Sequence, residues 1–210
     1  MARTKSGTTK KMLSEPFRRK RAKVMEEFVT SETEYVNNLD HVIRGYMMQC
    51  DAFGALFPDD LKHVIFANVE DIYDLHVRFL RRIKRAVRQN CVGAIGRLFL
   101  THQKTFEVYQ EYCTNFDKAS ETISGLLAKE EYNTFFNNCR TMDQSTVRLP
   151  LSSYLLCPVQ RICKYPLQLE SLLKVVENDD DEATVRKAVD VMTNIPKGKL
   201  LLLKYLKTCF

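Results

Sequence analysis

The sequence predicts an all-α fold, and three observations support this prediction. Apolar residues recur at helical spacings of three, four and seven over long stretches. No segment alternates between apolar and polar residues for long, as a half-buried strand would. Seven glycines and six prolines are few for 210 residues, which favours long helices over sheets with many turns. This length suits one domain with its own core.

The first predicted helix runs for about 25 residues from Val24, and its apolar face contains Phe28, Tyr35, Leu39, Val42 and Tyr46. Residues 45–60 break the pattern. A second helix follows over 66–87, with Ile72, Leu75, Phe79, Ile83 and Val87 on its apolar face. Asn68, placed before Glu70 and Asp71, is predicted to cap this helix.

Residues 91–116 are predicted to form a third helix, in which Gly93 and Gly96 mark a bend at the start. Shorter helices are predicted at 118–127 and 132–140. After Pro150 comes the stretch 154–177, described below, and a final amphipathic helix at 183–195 begins after a capped break at 178–182. The third helix is expected to bury one face, formed by Phe99, Phe106, Tyr109, Cys113 and Phe116.

Positive charge is concentrated at the start of the chain. Residues 1–23 hold nine Lys and Arg against one acid, whereas the whole chain carries only +6, so the remainder is slightly acidic. A nucleic-acid partner is therefore not expected for the folded body. We expect residues 1–20 to form a flexible basic tail. The run at 17–23 is either simply solvated, attracted to anionic lipid at a membrane, or a nuclear address.

The cysteines and histidines predict no bound metal or cofactor. Seven cysteines form no C-x-x-C pair and are expected to be reduced thiols of a cytoplasmic protein. Four scattered histidines lack zinc-site spacing. No segment has the length and hydrophobicity of a signal sequence or a membrane span.

Glu32 is a polar exception on the apolar face of the first predicted helix. At 100° per residue it lies about 40° from Phe28, inside the apolar arc. Burying an unpaired carboxylate costs roughly several kcal/mol. The sequence leaves two alternatives: an ion pair in the core, or a position at the rim aimed at a partner.

A second exception is the stretch YLLCPVQRICKYPLQL, residues 154–169. Pro158 suits the first turn of a helix, and Pro166 is expected to bend that helix. Gln160 and Lys164 then lie one turn apart on one face, as an amide and an ammonium available to a partner or to solvent. Arg161 points about 100° away and is expected to bind carbonyls or an inner acid.

Four ordered segments carry a resemblance to a known family. These are VMEEFVTSETEYVNNL, FANVEDIYDLHVRFL, YQEYCTNF and SSYLLCPVQRICKYPLQLESLLK. In order and spacing they resemble the Dbl homology (RhoGEF) domain of guanine nucleotide exchange factors for Rho-family GTPases. The similarity covers residues 21–195.

The resemblance implies an elongated bundle of about six helices and a set of GTPase-binding residues. Glu32 matches a glutamate that engages switch I, and Gln160 and Lys164 match residues that meet switch II. Tyr35, Arg161, Pro158 and Pro166 are expected to support this site structurally. The implied mechanism is non-covalent: tighter binding of the nucleotide-free GTPase speeds GDP release.

Three departures from the family pattern lead to an alternative. Cys157 stands where the family usually has a lysine, and Pro196 and Gly198 interrupt the last helix. Residues 196–210 form a divergent segment, and no pleckstrin homology domain is expected. The alternative is therefore a non-catalytic module that binds or regulates a GTPase of the Rho, Rac or Cdc type. A helical scaffold that uses the basic tail on membranes or nucleic acid is a third interpretation.

Overall fold

The computed structural model describes residues 14–142 and 149–195, and these residues form nine α-helices and no strand. The predicted all-α bundle is confirmed. A π-helical turn at Ile43–Met47 connects the first two helices, and a 3₁₀ turn at Gln103–Glu107 connects the fifth helix to the sixth. The helices are α1 (Glu15–Val42), α2 (Met48–Ala52), α3 (Asp59–Phe66), α4 (Val69–Arg88), α5 (Val92–Thr101), α6 (Val108–Leu127), α7 (Glu130–Thr141), α8 (Leu151–Leu173) and α9 (Asp179–Asn194).

The first helix begins nine residues before the predicted start, so residues 15–20 of the expected tail are helical. Pro16 lies in the first turn, where its missing N–H has no intrahelical partner to lose. Phe17 packs against the core, and the side chain of Arg21 is buried. Arg21 donates to the carbonyl of Asn90 and forms an ion pair with Glu177. Residues 1–13 and 196–210 lie outside the described part of the chain.

Helical structure also continues past the predicted break at 45, through the π-turn and α2 as far as Ala52. Gly45 and Tyr46 of the π-turn are both buried. The hydroxyl of Tyr46 donates to the carbonyl of Leu149 at 2.7 Å. This contact ties the end of the long first helix to the segment that leads into α8.

Asn68 occupies the predicted N-cap position of α4, but its side chain makes no capping hydrogen bond. It donates instead to the carbonyl of Val108, at the start of α6. The predicted third helix is divided by the 3₁₀ turn into α5 and α6, and α6 includes the region predicted as a separate helix. The face predicted for it is buried, namely Phe99, Phe106, Tyr109, Cys113 and Phe116.

Gly93 and Gly96 lie inside α5 rather than in a bend before it. They bring α9 close to α5: a Cβ at Gly96 would lie 3.2 Å from the Cα of Val185. A Cβ at Gly93 would overlap the carboxylate of Asp181. That residue belongs to the first turn of α9, where the Asn178 side chain accepts a hydrogen bond from the Asp181 N–H at 2.9 Å, so the predicted cap of α9 is confirmed.

Pro158 is in the interior of α8, not in its first turn, because this helix begins at Leu151. Pro166 is interior as well. Each proline removes one backbone donor from the helix. Leu151, the first residue of α8, is buried, and it lies about two turns before Pro158.

Aromatic rings hold the centre of the bundle together. The rings of Phe79, Phe99, Phe106 and Tyr165 come from α4, α5, the 3₁₀ turn and α8, and their centroids lie 4.9–6.4 Å apart. Most pairs meet edge to face, an arrangement worth about 0.5–1.5 kcal/mol per pair beyond the area that they bury. Within the described ranges, no helix is long and apolar enough to cross a bilayer.

Candidate functional site

A groove of about 480 Å³ lies between α1 and α8. Its walls are mostly polar side chains, placed one turn apart along both helices. Acidic residues come from α1, and the cationic residues come from α8. The lining residues are Glu27, Ser31, Glu34, Tyr35 and Asn38 of α1, and Cys157, Gln160, Arg161, Lys164, Leu167, Gln168 and Ser171 of α8.

Gln160 and Lys164 both line this groove, as their one-turn spacing predicted. Lys164 is exposed and Gln160 is half-buried. Leu167, the next residue on this face, is 42% exposed, so an apolar side chain lies beside the two polar groups. An ammonium, an amide and an exposed leucine on one rigid helix are suited to contact with another protein surface.

The two helices are connected at the edges of the groove by side-chain contacts. The Gln168 Nε2 donates to Ser31 Oγ at 2.8 Å, and Asn38 Nδ2 approaches Cys157 Sγ at 3.9 Å. Burial raises the pKa of the Cys157 thiol, and nearby Lys164 only partly opposes this effect. Cys157 is therefore a neutral thiol at pH 7, in a position where a lysine would add a second cation.

Glu32 does not line the groove, because its side chain is 0% exposed. The carboxylate lies behind Arg161 and Tyr35 and accepts hydrogen bonds from three side chains. Arg161 Nη2 donates to Oε2. The Tyr165 hydroxyl donates to Oε2 at 2.9 Å, and His76 Nδ1 donates to Oε1 at 2.6 Å. Of the two alternatives left by the sequence, the free chain thus has the ion pair in the core.

The hydrogen bonds continue from His76 and join four helices. His76 Nε2 lies 2.8 Å from the Tyr109 hydroxyl, which lies 2.7 Å from the Tyr35 hydroxyl. Arg161 packs over two of the rings, 4.6 Å from the centroid of Tyr165 and 5.5 Å from that of Tyr35. We call Glu32, Tyr35, His76, Tyr109, Arg161 and Tyr165 the buried network; its members come from α1, α4, α6 and α8.

The ionisation states of the buried network follow from these contacts. Burial alone would raise the pKa of Glu32, but the charge of Arg161 and the contact with His76 outweigh it and lower the pKa to about 2. Glu32 is therefore ionised at neutral pH. Burial raises the pKa of the Tyr35, Tyr109 and Tyr165 phenols well above the ordinary value, so all three stay neutral.

The structure thus brings most of the predicted site residues together. Gln160, Lys164, Arg161 and Tyr35 line one groove, and Glu32 contacts Arg161 from behind. Pro158 is buried and Pro166 half-buried in the same helix. No group of metal-ligating side chains occurs among the described residues.

His76 and Tyr165, which contact Glu32, and Tyr109, which contacts His76, were not predicted as members of the site. His76 did leave a signal, because it stands on the apolar face of α4, one turn from both Ile72 and Phe79. Tyr109 and Tyr165 left none, since tyrosine is a common core residue and its hydroxyl does not disturb an apolar pattern.

A comparison with protein families identifies the chain. The RhoGEF domain family model matches residues 24–198. This protein belongs to the RhoGEF domain family. Human Rho guanine nucleotide exchange factor 9 is 38% identical to this RhoGEF domain over 178 residues, which cover 83% of the chain and 34% of that protein. Human Rho guanine nucleotide exchange factor 4 is 34% identical over 178 residues, which make up 26% of its length. The RhoGEF domain chain thus spans about a third or less of these relatives.

Solved structures have the same RhoGEF domain fold. A structure of the Vav1 exchange factor, described for the role of its PH and C1 domains, superposes with a TM-score of 0.78 at 26% identity. The superposed region covers 86% of this chain and 48% of the Vav1 chain. The linker-DH/PH domains of p115-RhoGEF superpose with a TM-score of 0.74 at 23% identity, a likeness of fold.

Proposed function

We propose that this chain is a guanine nucleotide exchange factor that stimulates GDP release from a Rho-family GTPase. One observation carries the proposal: in a chain of the RhoGEF family, the α1–α8 groove presents Gln160 and Lys164 side by side. The two relatives described above are named as Rho guanine nucleotide exchange factors. The proposed partner is a GTPase of the Rho, Rac or Cdc type.

The proposed catalysis is non-covalent and depends on a difference in affinity. A protein that bound the GDP-bound and the nucleotide-free GTPase equally well would not shift the equilibrium between these two states. The groove must therefore bind switch regions better in the conformation that no longer holds GDP. Binding of GTP then restores the nucleotide-bound conformation of the GTPase and releases the exchange factor. Each tenfold acceleration requires about 1.4 kcal/mol of preferential stabilisation.

We propose that Gln160 and Lys164 contact the GTPase directly. Lys164 supplies a charged donor at an exposed position, and the Gln160 amide can both donate and accept hydrogen bonds. Glu27 and Glu34 across the groove carry the opposite charge, so the groove discriminates between charge patterns on its partner. Arg161, Tyr35, Pro158 and Pro166 act structurally in this proposal.

Glu32 differs from Gln160 and Lys164 because it is buried and does not line the groove. Contact with switch I, which the family resemblance implies, stays a prediction, and it would require the carboxylate to leave Arg161, Tyr165 and His76. In the free chain we propose that Glu32 fixes Arg161, and through it the relative position of α1 and α8. A direct role in binding and this positioning role make different predictions for the stability of variants.

The test is release of a fluorescent GDP analogue from purified Rho-, Rac- and Cdc-type GTPases. We expect the chain to accelerate release from at least one of them. Lys164→Ala and Gln160→Ala should each reduce the acceleration by about ten-fold or more, as loss of a central contact does. Lys118→Ala, an exposed lysine of α6 outside the groove, is the matched control and should retain full activity.

The non-catalytic alternative has a distinct outcome in the same experiment. If the wild-type chain binds a GTPase but does not accelerate release, it is a binding module. If Lys164→Ala and Gln160→Ala retain full exchange and a native helical spectrum, the groove is not the exchange site. Loss of the helical spectrum in these two variants would instead make the residues structural.

We also propose that the basic residues at the start of the chain bind anionic membranes and so make the protein a peripheral membrane protein, because clustered Lys and Arg attract anionic lipid. Deletion of residues 1–13 tests this idea through loss of binding to anionic vesicles. Unchanged binding would contradict it.

A further inference from the structure

The outward face of α4 is strongly basic along its last three turns. Between 78 and 88, six of eleven residues are Lys or Arg and none is acidic. Five of the six are exposed and the lysine is half-buried. At 1.5 Å per residue the row is about 15 Å long. We call these residues the basic face: Arg78, Arg81, Arg82, Lys84, Arg85 and Arg88.

The charge of the basic face is not neutralised by neighbouring acids. None of its six residues forms an ion pair with an acid among the described parts of the chain. Arg82 Nη1 lies 2.7 Å from a ring nitrogen, His102 Nε2, and not from an acid. Like charges on one helix repel each other, so this arrangement is stabilised by an anionic partner.

The start of α1 adds further cations at the same end of the bundle. Three contacts show that α1 and α4 run antiparallel: Asp40 with Tyr73, Glu32 with His76, and Arg21 with Asn90. The first turns of α1 therefore lie beside the end of α4. They contribute four exposed cations, of which two share a single acid, Glu15. The four are Arg18, Arg19, Lys20 and Lys23.

The acids at this end are largely engaged elsewhere. Glu177 pairs with the buried Arg21, and Asp181 lies 3.3 Å from Arg97 of α5. The acidic first turn of α9 packs on α5 rather than on the basic face. Glu26 of α1 is exposed and unpaired with any residue of the basic face. The local excess of positive charge therefore remains.

We propose that the basic face of α4, together with the exposed cations at the start of α1, binds the anionic surface of a lipid bilayer. A row of Lys and Arg on the outer side of an amphipathic helix is typical of binding to anionic lipid. Proteins that bind single-stranded nucleic acid typically combine a basic groove with exposed aromatic rings on which bases stack. The only aromatic residue of α4 from 78 to 88 is Phe79, which is fully buried, so a bilayer is the better match.

This surface is separate from the groove. On α1, the groove is lined by Glu27, Ser31, Glu34 and Asn38, whereas Asp40 reaches α4 on the other side of the helix. A bilayer against the basic face would leave Gln160 and Lys164 accessible. The inference goes beyond the proposed exchange activity and does not depend on it.

The test is co-sedimentation of the full chain with vesicles of phosphatidylcholine alone, or of phosphatidylcholine with an equal amount of phosphatidylserine. We expect binding only to the second kind, and weaker binding as salt is added. The triple variant Arg81→Gln, Arg85→Gln, Arg88→Gln should lower the partition coefficient by roughly a hundred-fold, since each cation near an anionic surface contributes about a five-fold step. Its GDP release in the absence of vesicles should be unchanged.

Two controls separate charge at this face from other causes. Replacement of Lys118, Lys129 and Lys187 by Gln removes the same charge elsewhere and should change the partition coefficient by less than about three-fold. Replacement of Arg81, Arg85 and Arg88 by Lys keeps the charge and should retain binding. If the Lys variant loses binding as fully as the Gln variant, the effect is not electrostatic and the proposal is wrong.

Two further outcomes would overturn the proposal. Normal binding by the Gln variant, with loss only when Arg3, Lys5, Lys10 and Lys11 are replaced, would assign membrane binding to the first residues of the chain alone. Tighter binding to a fluorescent DNA duplex than to the anionic vesicles at the same ionic strength would assign the face to nucleic acid.

Discussion

Glu32 is a charged side chain enclosed by protein, and three partners offset the cost of its burial. Desolvating an ion costs roughly several kcal/mol even after relaxation, so a carboxylate in this position requires charge and hydrogen bonds around it. Arg161 supplies the charge, and His76 and Tyr165 occupy further acceptor positions. Loss of the carboxylate would leave Arg161 as an uncompensated buried cation.

We therefore expect Glu32→Gln to lower the free energy of unfolding by about 3–5 kcal/mol, as removal of one member of a buried ion pair does. Urea denaturation of the wild type and the variant measures the difference. Glu34→Gln, an exposed residue of the same helix, is the control and should change the stability by less than about 0.5 kcal/mol. Equal effects of the two variants would show that the buried network does not stabilise the fold.

The same carboxylate predicts a pH dependence. Its pKa is lowered from 4.5 in the unfolded chain to about 2 in the fold. The stabilisation is therefore complete above pH 4.5 and is lost as the pH falls towards 2, because in this interval the unfolded chain binds a proton at Glu32 that the folded protein must release. The stability difference between wild type and Glu32→Gln should shrink over this interval in denaturation curves recorded at several pH values. A difference that stays constant down to pH 2 would contradict the assignment.

At the scale of helices, α5 and α9 depend on small residues where they touch. The absent side chain of Gly96 leaves room for the backbone of Val185, 3.2 Å from where a Cβ would be. Gly125 in α6 is different, since a Cβ there would have no heavy atom within 4 Å. The two glycines have the same helix propensity, but only Gly96 lies where a larger side chain would contact a neighbouring helix.

This contrast gives a paired prediction. Gly125→Ala should stabilise the protein by about 0.5–1 kcal/mol, because alanine loses less backbone entropy in a helix. Gly96→Ala should forfeit that gain or be destabilising, and Gly96→Val should destabilise by about 1–3 kcal/mol through overpacking against Val185. Thermal unfolding followed by circular dichroism measures all three. A stabilising Gly96→Val would mean that α9 is not packed closely on α5.

At the scale of the whole molecule, the folded unit includes residues that precede the family match. The match begins at residue 24, but α1 begins at Glu15. The extra turns are part of the fold because Phe17 packs on the core and Arg21 connects α1 to Asn90 and Glu177. Glu177 follows α8, so the Arg21 side chain connects three segments that are distant in sequence.

Truncation tests this boundary. A chain that starts at Val24 should lose roughly 2 kcal/mol or more of unfolding free energy, the contribution of one partly buried aromatic side chain and a charged hydrogen bond. A chain that starts at Ser14 is the control and should retain the stability of the full chain. Equal stability of the two truncated chains in urea denaturation would show that residues 15–23 do not contribute.

The fold class, the apolar faces and the side-by-side placement of Gln160 and Lys164 could be predicted from the sequence because they depend on spacing within a single helix. Gln160 and Lys164 are one turn apart, and helical geometry alone places them together. The sequence also identified Glu32 and Arg161 as anomalies but could not pair them, since they are 129 residues apart and meet only through tertiary packing. The prediction for the start of α8 is wrong because proline is typical of a first helical turn, whereas Pro158 lies in the interior of a helix that begins at the buried Leu151.

The π-helical turn at Ile43–Met47 has a consequence for how sequences are aligned. A π-turn contains one residue more than the α-helical turn it replaces. A relative whose first helix is regular throughout would therefore reach the same point in space one residue sooner. An alignment of the two needs a single-residue gap between 43 and 47; without it, every position from Met48 to Ala52 would be matched to the wrong neighbour.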